Sequence, residues 1–234
     1  MNRSARLTLT AFLLASCALS GTAARALEIA VIGGTGRVGS RVVAEALSRG
    51  HSVIGTSRTP DAYVIEHANF STTFVDAYQP DSLRDLAARD LDAIVVSVSG
   101  NDFDGVDSVV YKTVEGLLTN VSGSETYVIV IGGASLLDRG PGIPRASPES
   151  GQGHALTLEM LRATEDVTWS YLSPAGNFLD SDPTGEYTLG GEEMVRPDHG
   201  EAQGIPYGDF AAAVVDELER RTNAGKLFNA QGGE

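Results

Sequence analysis

The chain has 234 residues, 42% of them hydrophobic and 21% charged, with 27 glycines. That balance describes one globular domain with a full core and excludes a disordered chain. A formal net charge of −14 makes nucleic acid and anionic membrane surfaces poor partners. Cys17 is the one cysteine, and His51, His67, His154 and His199 are scattered without ligand spacing, so neither a disulfide nor a metal centre is expected in the body.

Residues 1–26 read as an export signal. Arg3 and Arg6 supply a positive start, Leu7 to Leu19 an apolar run too short to span a bilayer as a mature helix, and Ala24-Arg25-Ala26 a small-x-small cleavage site. The expected product is a mature domain of residues 27–234, exported to the periplasm and without an integral membrane segment. Leu14-Ala15-Ser16-Cys17 also resembles a lipoprotein box, which would anchor the chain at Cys17. A cytoplasmic product requires a non-Met start near Leu27, since the next methionine is Met160.

Leu27 to Ile32 is a short apolar run ending in glycines, a buried parallel strand. Arg37 to Arg49 places Val38, Val42, Val43, Ala46 and Leu47 on one helical face, and Gly50 stops it. Strands are expected at Ser52 to Ser57 and Thr72 to Val75, a helix at Pro80 to Ala88, and a strand at Ala93 to Val98. A helix over Asp104 to Asn120 and a strand over Tyr127 to Ile131 follow. Gly140 to Gly153, rich in proline, glycine and serine, reads as a loop or lid. Then come a helix at Ala155 to Ala163, a strand at Val167 to Leu172, a loop with a short hairpin at Asn177 to Gly191, a helix at Tyr207 to Arg221 and a last strand at Lys226 to Asn229. Strands alternating with helices predict an α/β fold, a Rossmann-type doubly wound parallel sheet in a single domain.

Gly33-Gly34-Thr35-Gly36-Arg37-Val38-Gly39 lies between the first strand and the first helix. Gly33 permits the tight turn, Gly36 lets the backbone approach a pyrophosphate, and Gly39 lets helix and strand pack closely. The helix start offers free N–H groups to the phosphates, with Thr35, Arg37 and Val38 beside them. A glycine triplet in this setting predicts a dinucleotide site. NAD binders usually end the second strand on a carboxylate that holds the ribose 2′-hydroxyl. Here that strand ends Thr56-Ser57-Arg58, which favours NADP over NAD, with Ser57 and Arg58 facing a 2′-phosphate and Arg37 adding a second charge. Asp76, ending the third strand, is placed either on the adenine amino group or as a turn cap. Ser97, Val98 and Ser99, ending the fourth strand, are expected cofactor neighbours.

Ile29 to Arg58, with Val128 to Gly133, Trp169 to Ala175, Gly185 to Gly191 and Tyr207 to Ala211, resembles the NAD(P)H-binding branch of atypical short-chain dehydrogenases/reductases, and is similar to NmrA-like and biliverdin/flavin-reductase-like proteins. The resemblance covers 27–230 and implies the fold and the coenzyme, with Gly133 and Pro174 near it. The Tyr-x-x-x-Lys pair of the commoner branch is absent: Tyr111 is followed four residues on by Glu115, Tyr127 by Ile131 and Tyr171 by Ala175.

Ser135, past the fifth strand, and His154, after the lid-like loop, are the candidate catalytic residues, as a carbonyl hydrogen-bond donor and a proton donor. Tyr171 reads as core, and Phe178 as a wall of the substrate pocket. Two functions follow. One is an NADPH-dependent reductase of a small quinone, flavin or carbonyl compound. The other is a non-catalytic NADP-binding sensor or scaffold, which the missing Tyr-Lys pair favours.

Overall fold

The computed structural model describes residues 25–100, 102–138, 151–194 and 204–233. The stretch before Arg25 expected to be an export signal, Cys17 with it, and the expected lid-like stretch before Gly151 lie outside the described residues.

The first half of the chain alternates as its periodicity predicts. Strand β1 (Glu28–Ile32) leads to helix α1 (Arg37–Ser48), then β2 (Ser52–Ser57), β3 (Phe70–Phe74), α2 (Pro80–Ala87) and β4 (Ala93–Val96). The second half runs α3 (Val109–Val121), β5 (Tyr127–Ile131), α4 (Gln152–Arg162), β6 (Trp169–Pro174), β7 (Phe178–Leu179), β8 (Tyr187–Gly190), β9 (Ile205–Pro206), α5 (Tyr207–Arg220) and β10 (Leu227–Gly232).

Eight strands form one sheet in the order β3-β2-β1-β4-β5-β6-β10-β8, parallel except for the antiparallel pairing of β8 with β10. Both faces are covered, which explains the unbroken apolar strands. Ile29 and Val31 of β1 face Val42 and Val43 of α1 and Phe210 and Val214 of α5. Ala30 and Ile32 face the opposite core, which holds Leu83 of α2, Val110 and Leu117 of α3 and Leu161 of α4. A fully buried aliphatic side chain of this kind contributes about 1.5–3 kcal/mol. The chain moves outward from β1 through β2 to β3, then returns to place β4 on the other side of β1. The strand order therefore reverses between β1 and β4, and a crevice opens beyond their carboxyl ends.

Three expectations are corrected. The helix anticipated from Asp104 begins at Val109. Gly105 takes φ 56, ψ −116, which is not helical, and Ser108 caps the true start by accepting from the Tyr111 amide at 3.4 Å. The fourth strand stops at Val96, two residues early, because the chain turns away once Ser97 N has donated to Ile32 O. The hairpin expected within Asn177 to Gly191 is not local: β8 pairs with β10, some forty residues on, and this pairing carries the last strand through to Gly232.

Candidate functional site

The glycine loop builds one wall of the crevice by two distinct uses of glycine. Gly33 sits at φ +80, and a Cβ there would overlap the Ser97 carbonyl oxygen. Gly39 is buried where a Cβ would overlap the Gly33 carbonyl, so α1 enters against the loop backbone. Gly36 differs. Its φ −72, ψ 169 suits any residue, and a Cβ would meet Gly33 O at 3.1 Å. Backbone conformation does not demand glycine at that position. Its bare surface faces the crevice instead.

Gly36 is also the N-cap of α1 and supplies no side-chain acceptor. The first amide to bond within the turn is Ser40 N, to Gly36 O at 2.9 Å. The N–H groups of Arg37, Val38 and Gly39 therefore have no acceptor inside the helix and carry its positive end. A cradle without side chains at a helix start suits a diphosphate.

The crevice has a volume of about 610 Å³. Gly33, Thr35 and Gly36 line one side, and Ser57, Arg58 and Thr59 the end of β2. Asp76, Ala77 and Tyr78 come from the turn after β3, and Ser97, Val98 and Ser99 from the exit of β4. Arg58 is exposed and makes no hydrogen bond or ion pair among the described residues. Ser57 Oγ accepts from Thr59 N at 3.0 Å, which holds the turn carrying Arg58. Asp76 is the turn cap that was one of its two readings: its carboxylate accepts from Tyr78 N at 3.1 Å and Gln79 Nε2 at 3.4 Å while still lining the crevice.

The profile of the NAD(P)H-binding family matches residues 33–221, from the first glycine of the cradle into the end of the last helix. The chain belongs to this NAD(P)H-binding, oxidoreductase-like family. It is 27% identical over 224 residues to YwnB of Bacillus subtilis, spanning 86% of this chain and 97% of that one. Its fold is similar to that of a candidate NADH-flavin reductase from Streptococcus pneumoniae, with a TM-score of 0.74 and 26% identity over 88% of this chain and 100% of the other. A candidate exported protein from Burkholderia pseudomallei has a TM-score of 0.73 and 28% identity, covering 88% and 99%.

The side chains of several expected site residues turn away from the crevice. Arg37 does not line the crevice; its guanidinium stands 5.4 Å over the Tyr207 ring, which itself stacks on Phe178 at 4.8 Å. The second charge expected beside Arg58 is thus drawn onto the start of α5 by an aromatic face. Phe178 packs into this stack and against Phe210. Val38 is partly buried against the core, and Gly133 and Pro174 lie at the ends of β5 and β6, outside the crevice lining.

Ser135 sits in a single turn of 3-10 helix, Ala134–Leu136, and packs on Gly151, whose φ of +94 opens α4; a Cβ at Gly151 would overlap Ser135 Oγ. His154 lies in the first turn of that helix and is buried, with Nδ1 2.6 Å from the Tyr171 hydroxyl. The fold thus brings Ser135, just past β5, and the His154–Tyr171 pair, which joins α4 to β6, to the strands next along the sheet from β4.

Sequence reasoning missed Tyr63. Its ring fills the space above Gly34 and Gly55, and its hydroxyl donates to Thr56 O at 3.0 Å. Burial pushes that hydroxyl up to about 12, so it remains a donor at neutral pH. The pairing of two glycines with one distant tyrosine has no local pattern. Tyr78, which lines the crevice and whose hydroxyl donates to Asp107 O at 3.0 Å, was missed for the same reason.

Proposed function

We propose that this chain is an NADPH-dependent reductase of a small flavin, quinone or carbonyl compound. The observation that carries the reading is the crevice itself, with uncapped α1 amides on one wall and, at the end of β2, the Arg58 guanidinium, unpaired among the described residues. A diphosphate suits the first and a 2′-phosphate the second, and the β2 end offers no carboxylate to prefer a bare ribose. When bound, the coenzyme supplies a hydride, and the protein's task is to orient it, exclude water and provide a proton. Ser135 is assigned a carbonyl contact and His154 the proton, with Tyr171 fixing the imidazole. The Streptococcus pneumoniae relative, described as a candidate NADH-flavin reductase, supports the flavin arm of the substrate range.

A non-catalytic dinucleotide sensor is the second reading, favoured by the absence of any Tyr-x-x-x-Lys pair. Steady-state oxidation of NADPH and NADH against a panel of flavins, quinones and small carbonyl compounds separates the two. Turnover with NADPH supports the reductase. Tight NADPH binding with no turnover across the panel establishes the sensor instead.

We also propose that residues 1–26 are a removable signal and that the mature domain is periplasmic. The three-part N-terminal pattern supports this, as does the Burkholderia pseudomallei relative described as a candidate exported protein. Among the described residues no helix is long and apolar enough to cross a membrane. Mass spectrometry of the native protein distinguishes a start at Leu27 from a lipidated start at Cys17.

A further inference from the structure

The amino end of the sheet, opposite the coenzyme crevice, carries a second polar arrangement. His51 begins the turn into β2 and is buried, with 1% of its surface exposed. Its Nδ1 accepts from the Leu27 backbone N at 3.1 Å, and its Nε2 lies 3.1 Å from Glu219 Oε1 on α5. A carboxylate on Nε2 requires the proton there, which leaves Nδ1 as the acceptor that Leu27 needs. Asp92 stands beside the same backbone, its Oδ2 accepting from Glu28 N at 2.9 Å and its Oδ1 paired with the Arg25 guanidinium at 2.8 Å. Arg25 is 77% exposed, whereas Leu27 is buried. Among the described residues Leu27 is the first whose backbone is hydrogen-bonded to the fold, and its N is the atom that a cut after Ala26 would release. A cavity of about 520 Å³ opens around Ala26, Leu27 and Asp92.

We infer that His51, Asp92 and Glu219 form a receiving site for the free α-amino group of Leu27. Hydrolysis of the Ala26–Leu27 peptide bond adds water, leaves a carboxylate on the departing segment and an ammonium on Leu27. One of its N–H groups keeps the bond to His51 Nδ1. Its charge replaces the Arg25 guanidinium that leaves with the signal, so Asp92 retains a cationic neighbour. Glu219 holds His51 in the accepting tautomer. The inference rests on the processing proposed above, but its test does not depend on how the cell processes the chain.

The test compares recombinant protein whose first residue is Leu27 with protein whose first residue is Ala26, both released from a fusion. Each is exposed to an amine-acylating reagent, and the rate at the α-amine is followed by mass spectrometry. Lys112 and Lys226 are the only lysines and serve as internal standards of folding. The Leu27 amine is expected to react about tenfold more slowly than the Ala26 amine, the size of one charge-assisted hydrogen bond. In the Leu27 form, His51→Phe and Glu219→Gln keep the burial but remove or weaken the acceptor, and should restore most of the rate. Equal rates for the two starts would overturn the site, as would protection that survives both substitutions. A native start at Cys17 with protection intact in the Leu27 form would refute the processing alone.

Discussion

His154 Nδ1 lies 2.6 Å from the Tyr171 hydroxyl, joining the first turn of α4 to the interior of β6. The rings meet edge to face, 6.1 Å between centroids and 80° apart, so the imidazole is held by packing as well as by the hydrogen bond. Tyr171 is completely buried. In the proposed reductase it would act through His154 as a positioning residue.

Tyr171→Phe should therefore cost about 1–3 kcal/mol of stability, since the buried 2.6 Å hydrogen bond to His154 is lost. Urea unfolding measures this. NADPH affinity by calorimetry should not change, because neither residue lines the crevice. In the reductase, the pH profile of kcat should move, which a purely structural tyrosine would not cause.

The two glycines of the cradle should respond in opposite ways. Gly36→Val should leave the domain folded, since φ −72 accepts a side chain, yet lower NADPH affinity at least a hundredfold (about 2.7 kcal/mol) by filling the diphosphate position. Gly33→Ala should instead destabilise the fold by about 2–5 kcal/mol, from positive φ and overlap with Ser97 O together. Calorimetric affinity and thermal unfolding on both variants distinguish binding from folding.

Arg58→Ala should weaken NADPH by about 10- to 100-fold, the value of one charge-assisted phosphate contact, and NADH by less than threefold. Fluorescence titration with each coenzyme checks this. Equal losses would remove the 2′-phosphate assignment.

Asp216 should govern part of the acid stability. Burial pushes its carboxyl up, but the Tyr187 hydroxyl at 2.7 Å, Arg49 at 2.6 Å and Arg220 at 2.9 Å outweigh burial and bring it below the usual range. A depressed carboxyl stabilises the fold above its unfolded value, about 3.9, and this contribution is lost as pH falls through the folded value. Asp216→Asn should thus cost about 1 kcal/mol near neutrality, the pair being partly solvated, and flatten the fall in stability below pH ~4. Denaturant midpoints of both proteins across pH 2–7 measure the slope.

The central sheet and the cradle were legible in short stretches of the chain. Runs such as Ile29 to Ile32 and Tyr127 to Ile131 carry burial on both faces in their composition, and Gly33, Gly36 and Gly39 carry the loop in their spacing. These are local properties, fixed by what a short segment of backbone can do. Side-chain partners were not legible in this way, because they come from distant elements. Arg37 lies next to the cradle in the chain but turns to Tyr207, and His154 finds Tyr171 seventeen residues away. One tyrosine, Tyr63, sets the size of both Gly34 and Gly55, and β8 waits for β10. Each depends on which surfaces meet once the helices close over the sheet, and no periodicity within a segment encodes the side chain that will arrive from another.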